Sequence, residues 1–178
     1  MSTFTLRRAK IEDAGAIGAV HVASWATAYA DLMPAHVIAS KPLALRIRQW
    51  GEWLENNAAN AAREIWVAET VTPTPEVMGF VCGGSTRDAC RTHYSGEIYA
   101  LYLRPEAFGK GMGKALFQQM RQRLMAQGHQ DHMVWVMEKN QRARRFYEKQ
   151  GGLLFASKTI PMGNPPTEIA EVAYGYKQ

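Results

Sequence analysis

The apolar positions of this chain fall into alternating short runs and helical stripes. Phe4-Thr5-Leu6-Arg7-Arg8 alternates weakly and predicts a first strand. Asp13 then offers a helix cap, and Ile17, Val20, Val22 and Trp25 hold an apolar face to about Tyr29, before Pro34. A second helical stretch starts near Pro42, with Leu45, Trp50, Trp53 and Leu54 as its face. The two read as a helical pair joined by a loop around Leu32 to Lys41. Glu64–Glu69 and Val77–Cys82 predict a hairpin across the turn Thr70 to Glu76, closed by Gly83-Gly84 and followed by a polar loop from Ser85 to Ser95.

The stretch from Gly96 to Lys114 organises the second half. An aromatic-rich strand, Ile98 to Leu103, ends at Arg104-Pro105 and runs into Gly109-Lys110-Gly111-Met112-Gly113. Met112, Leu116, Met120 and Leu124 then repeat at helical spacing as far as Gly128. Met133–Val136 is a short strand, and Asn140 caps a helix carrying Ala143, Phe146 and Tyr147, ended by Gly151-Gly152. Leu153–Ala156, a turn-rich loop from Ile160 to Pro166, and Ile169–Tyr176 close the chain. Early strand pairs followed by strand–helix–strand–helix–strand–strand predict an α/β protein with a mixed sheet and helices on its faces.

Composition sharpens this only slightly. The chain has 178 residues, 47% of them hydrophobic and 21% charged, the profile of one soluble domain spanning 1–178. No apolar run approaches the roughly 20 residues that span a bilayer, and no secretory leader opens the chain, so a cytoplasmic location is expected. Cys82 and Cys90 lie too far apart for a redox or zinc pair, and no metal is expected. The net charge of +5 concentrates in the second half, from Arg104 to Lys149. No nucleic-acid motif accompanies it, so a phosphorylated small molecule is the better partner.

The glycine turn gives that idea a place. A strand, a glycine turn and a helix start leave backbone N–H groups unpaired in front of the positive helix end, which suits a pyrophosphate at Gly109 to Lys114. The turn is neither a Walker loop, since Ala115 follows Lys114, nor a dinucleotide fingerprint, since the third glycine is misplaced.

Taken with Asn140-Gln-Arg-Ala-Arg-Arg-Phe-Tyr147-Glu-Lys-Gln-Gly, the segment Leu-Tyr-Leu-Arg-Pro followed by GKGMGKAL resembles the GNAT superfamily of acyl-CoA-dependent N-acyltransferases. The likeness is strong from Glu97 to Gly152 and looser before it. It implies a central, mostly antiparallel seven-stranded sheet flanked by about four helices and splayed at the strand Glu97–Leu103. It implies acetyl-CoA as co-substrate, with the backbone of Leu101, Tyr102 and Leu103 along the pantetheine arm. Gly109, Lys110, Gly111, Met112, Gly113 and Lys114 would hold the pyrophosphate, and Asn140 the pantetheine amides.

Tyr147 would serve as acid to the leaving thiolate, the alternative being a phenol that only positions the coenzyme. Glu97 is the candidate base, the alternative being a strand-edge carboxylate with a structural partner. Trp25, Tyr29 and Tyr99 could line an acceptor pocket, with packing in the core as the rival reading for Trp25. His21 reads as an ordinary, partly exposed histidine. Phe108 departs from the family pattern, which carries Gln or Arg there, and Gly152 stands where an aromatic commonly follows.

The resemblance implies direct transfer to a primary amine, with a small molecule as the expected acceptor, since no cysteine motif supports an acetyl-enzyme. Acetylation of a protein or aminoacyl-tRNA amine, and a non-catalytic acyl-CoA-binding module, are the alternatives. A homodimer is a family-level expectation.

Overall fold

A computed structural model describes residues 4–57, 62–87 and 93–177 of the chain. Cys90 and the middle of the predicted polar loop lie outside the described residues. Seven strands form one sheet: β1 (Phe4–Arg8), β2 (Arg63–Thr70), β3 (Val77–Ser85), β4 (Gly96–Leu103), β5 (His132–Met137), β6 (Leu153–Met162) and β7 (Thr167–Tyr176), in the order β1-β2-β3-β4-β5-β7-β6. Every neighbouring pair is antiparallel except β4 with β5. The helices are α1 (Ala14–Ala28), α2 (Ala35–Ala39), α3 (Leu43–Asn57), α4 (Met112–Ala126) and α5 (Gln141–Lys149).

Two apolar layers cover the sheet. On one face Met112, Leu116, Met120 and Leu124 of α4 are all buried, packed with Val81, Ile98 and Val134 and with Tyr147 of α5. The spacing of four places them on one stripe, as the pattern predicts. On the other face Ile17 and Val20 of α1 pack with Ile65, Val67 and Phe80, and with Trp50 and Trp53 of α3. The helical pair closes tightly because α1 carries Gly18, where a Cβ would stand 2.9 Å from Ile47 Cγ1.

Glu64 links α4 to the sheet. Its buried carboxylate accepts from Arg123 Nη2 at 2.8 Å, Trp66 Nε1 at 2.8 Å and Gln127 Nε2 at 3.1 Å. Arg123, one of the clustered basic residues, is therefore committed to structure.

Several boundaries differ from the sequence reading. Gly83 and Gly84 do not end β3; the strand runs to Ser85 and pairs with Gly96. They are glycines because a Cβ at Gly83 would stand 2.8 Å from the Glu97 carbonyl, and one at Gly84 2.8 Å from the Tyr99 hydroxyl. β6 extends to Met162, well into the predicted loop, because β7 offers it a partner as far as Thr167. The loop after α1 contains α2, a single five-residue turn of helix. Asp13 does not cap α1 with its side chain; its carboxylate accepts from Arg7 Nη1 and from the Lys10 N–H, both at 2.7 Å, closing the turn before the helix.

His132, at the start of β5, gives the fold a pH dependence. Its ring is buried, stacks on Tyr176 at 4.9 Å, and neither ring nitrogen has a hydrogen-bond partner among the described residues. Burial, helped by Arg121, pulls its pKa from 6.5 to about 4. A histidine kept neutral by folding contributes stability above the unfolded pKa near 6.5 and loses it as pH falls toward about 4. Unfolding free energy between pH 6 and 5 should therefore carry a component approaching about 1.4 kcal/mol per pH unit from this group, alongside one from His21, whose pKa burial also lowers. His132→Phe should reduce that slope without losing a hydrogen bond; an unchanged slope would show that His132 does not contribute to it.

Candidate functional site

The sheet opens where its one parallel pair fails. β4 pairs with β5 only through Gly96, Glu97 and Ile98, opposite His132, Met133 and Val134. From Tyr99 to Leu103 the edge of β4 facing β5 has no strand partner among the described residues, so backbone groups on that edge remain available. A register shift near Cys82/Gly83 accompanies the divergence. The expected splay is there, and a cleft of about 1040 Å³ occupies it.

The glycine turn closes one end of the cleft. After a short 3-10 turn (Pro105–Ala107), Gly109 and Gly111 sit at φ 75° and 82°, the left-handed region that glycine enters most easily. A Cβ on either would meet nothing within 4 Å, so backbone conformation requires glycine there. Gly113 differs: a Cβ would come 3.2 Å from Leu103 Cδ1, so this glycine lets α4 seat against β4. Lys110 N–H bonds Ala107 O at 3.4 Å and Ala115 N–H bonds Gly111 O at 3.0 Å. The N–H groups of Gly109, Gly111, Met112, Gly113 and Lys114 meet no acceptor among the described residues. These unpaired donors stand at the positive end of α4, an arrangement suited to an anion.

Phe108 has a role in this arrangement. The Arg142 guanidinium, from the first turn of α5, lies 3.9 Å from the centre of its ring. A cation is thus held beside the turn by stacking, with Lys110 and Lys114 on the turn itself. Gly152 is a packing position, since a Cβ would stand 2.7 Å from the Tyr176 hydroxyl.

Asn140 caps α5, accepting from the Ala143 N–H at 3.1 Å. The cap fixes the start of the helix, and Tyr147, two turns on, lines the cleft. Tyr147 is buried, and burial, with Tyr102 nearby, pushes its phenol above the usual range. No hydrogen bond ties its hydroxyl among the described residues.

Glu97 also borders the cleft but is engaged. Only 2% exposed, it accepts from Arg87 Nη2 at 2.7 Å and from the Arg87 backbone N–H at 2.8 Å. Arg87 in turn lies over the Tyr99 ring at 4.0 Å, and the Tyr99 hydroxyl donates to the Ser85 carbonyl. Burial pushes the Tyr99 phenol up to about 12.

The opposite wall comes from α1 and α3. Trp25 and Tyr29 stand edge to face at 5.2 Å, both buried in the core and both bordering the cleft. His21 is not partly exposed. It is 6% exposed, stacked on Tyr102 at 4.7 Å, and accepts from Trp50 Nε1 through Nδ1 at 3.1 Å. Burial first, then Arg46, pulls its pKa to about 3, so it stays neutral.

The side chain of Tyr102 joins this wall while Leu101 and Leu103 pack toward α4. Sequence reasoning missed Arg46, Gln49, Arg87 and Arg142 as cleft residues. A half-apolar helix face around Trp50 was legible; which polar residue it brought to the cleft depended on how α3 crosses α1.

The description "Acetyltransferase (GNAT) family" matches residues 25–152. An uncharacterized N-acetyltransferase of Bacillus subtilis, YuaI, is 32% identical over 136 residues, covering 76% of this chain and 73% of that protein. Among solved structures, PaiA N-acetyltransferase of Thermoplasma acidophilum, in complex with coenzyme A, superposes with a TM-score of 0.79 at 19% identity, covering 98% of this chain and 99% of that one. YncA of Salmonella typhimurium, a putative acetyltransferase with acetyl-CoA, gives 0.69 at 17% identity, with 98% and 94% covered. No helix of the described residues is long and apolar enough to cross a membrane, and they hold no cluster of metal-ligating side chains.

Proposed function

The chain belongs to the GNAT acetyltransferase family, and from that premise we propose that it transfers acetyl from acetyl-CoA to a small primary amine by direct attack within a ternary complex. The observation that carries this reading is the convergence, in one cleft, of an unpaired β4 edge, an anion cradle at its end and the untethered Tyr147 hydroxyl. The first would extend a strand-like pairing to pantetheine, the second would take the pyrophosphate, and the third would stand at the thioester sulfur. That relatives of the same fold were solved with coenzyme A or acetyl-CoA supports the choice of ligand.

The chemistry follows from these placements. The attacking nitrogen must first shed its ammonium proton, for which Glu97 is the candidate acceptor, acting through a water because Arg87 holds its oxygens. The nitrogen then bonds the thioester carbon, whose oxygen gains charge and is steadied by a free N–H of the β4 edge. As the C–S bond breaks and the carbonyl re-forms, Tyr147 gives its proton to the thiolate, the nitrogen sheds its second proton to solvent to leave the amide, and Tyr147 regains one from solvent. Burial keeps that phenol protonated across the working pH range, as an acid requires.

Glu97→Gln tests the base. It keeps the acceptor for the Arg87 N–H but cannot take a proton, so kcat should fall about 10-fold with KM for acetyl-CoA unchanged. An unchanged kcat would leave Glu97 as the structural partner of Arg87. For the activity itself, thiol release from acetyl-CoA in the presence of a panel of amines and peptides is the direct assay. Tight coenzyme binding with no turnover of any amine would favour the non-catalytic binding module.

A further inference from the structure

The end of the cleft walled by α1 and α3 sets several donors side by side. Trp50 Nε1–H donates to His21 Nδ1, which uses that nitrogen's lone pair and places the hydrogen of the neutral ring on Nε2. His21 Nε2 is buried and has no partner among the described residues, while Trp25 Nε1 faces the Tyr102 hydroxyl. Arg46 of α3 lies over the Trp25 ring, 4.9 Å from its centre, and faces both His21 and Tyr102.

The Arg46 guanidinium has only a long contact of 3.4 Å to Gln49 Oε1 and no carboxylate among the described residues. The acids that border the cleft, Glu97 and Glu171, already face Arg87 and Lys158. A half-buried cation beside an orphaned N–H group costs free energy until an anion supplies the missing acceptor.

We propose that this end of the cleft binds the carboxylate of an amino-acid-like acceptor, with Arg46 as its charge partner and His21 Nε2–H as a second donor. The assignment rests on the acetyl-transfer reading for its acceptor amine, and it narrows that amine to one carrying a carboxylate. It runs against a di- or polyamine, whose distal ammonium would meet Arg46, the acids that border the cleft among the described residues being already paired. Histidine here is a donor by tautomer, so it reads an oxyanion and takes no proton.

The test compares matched pairs, each an L-amino acid and the amine left when its carboxylate is removed, assayed by thiol release from acetyl-CoA with wild-type protein and with Arg46→Gln. Alongside, calorimetry measures binding of the same compounds to the protein saturated with coenzyme A.

Amino acids should be preferred by about 10- to 100-fold in kcat/KM, and R46Q should erase that preference through KM, leaving KM for acetyl-CoA unchanged. Equal or better turnover of the decarboxylated amines overturns the proposal, as does an R46Q effect of the same size on both members of a pair. If no amine of either kind is acetylated, the transferase reading fails separately. The calorimetry then decides: Arg46-dependent binding of the amino acids sustains the carboxylate site, and no such binding overturns it.

Discussion

Replacing Tyr147 by phenylalanine should lower kcat by about 100-fold while leaving the affinity for acetyl-CoA nearly unchanged. The size follows from the removal of a general acid at a leaving group that otherwise departs as a bare thiolate. The specificity follows from the structure. The ring packs against Phe117 and Phe146 and would stay in place, and the hydroxyl makes no hydrogen bond that the fold depends on. Stability should therefore be preserved, and thermal unfolding checks this. Single-turnover kinetics with coenzyme prebound isolates the chemical step. A Y147F protein with full kcat would return Tyr147 to a packing role.

The second large effect is expected at Gly111. Its φ of 82° is a conformation that a β-branched side chain adopts only under strain, of the order of 1–3 kcal/mol. Gly111→Val should rotate the turn and scatter the N–H groups from Gly111 to Lys114. Coenzyme affinity should then weaken by about 10- to 100-fold, the equivalent of that strain at 1.4 kcal/mol per tenfold. Gly111→Asn separates the causes, because Asn tolerates the left-handed region. If G111N retains most of the affinity, conformation is what glycine supplies; if it binds as poorly as G111V, the space left by the missing side chain matters more. Titration with coenzyme A, followed by calorimetry, reads both.

The parts of the fold that were legible in the sequence are those governed by local periodicity or by a residue with one strong backbone preference. The stripe Met112, Leu116, Met120, Leu124 gave α4 its buried face, and Asn140 was readable as a cap because its side chain bonds the Ala143 N–H three residues on. The glycine turn was legible for the same reason.

Pairing at long range was not. Gly83 and Gly84 look like a strand end, yet they sit mid-sheet because Glu97, Met120 and Tyr99 crowd them from other elements. Asp13 looks like a helix cap, but Arg7 and the Lys10 N–H claim its carboxylate. The stripe of α1 was blurred because its buried face includes His21 and Ser24, polar residues that turn toward the cleft wall and not toward solvent.

The same distinction runs through the candidate site. The side proposed for the coenzyme lies within one continuous stretch, Glu97 to Gly152, and its parts could be read in order. The side proposed for the acceptor is assembled from α1, α3 and β4, so Arg46 came to it unannounced. Phe108 looked like a defect when read alone; the partner that explains it, Arg142, is 34 positions along the chain and one helix away.

The most direct test of the account is a crystal structure of the protein with acetyl-CoA. The account predicts pyrophosphate oxygens within roughly 3.2 Å of the N–H groups from Gly111 to Lys114, and the Tyr147 hydroxyl in contact with the thioester sulfur. The pantetheine should lie along the open edge of β4 from Tyr99 to Leu103. Coenzyme bound elsewhere, or in this cleft with Tyr147 turned away from the sulfur, would contradict it.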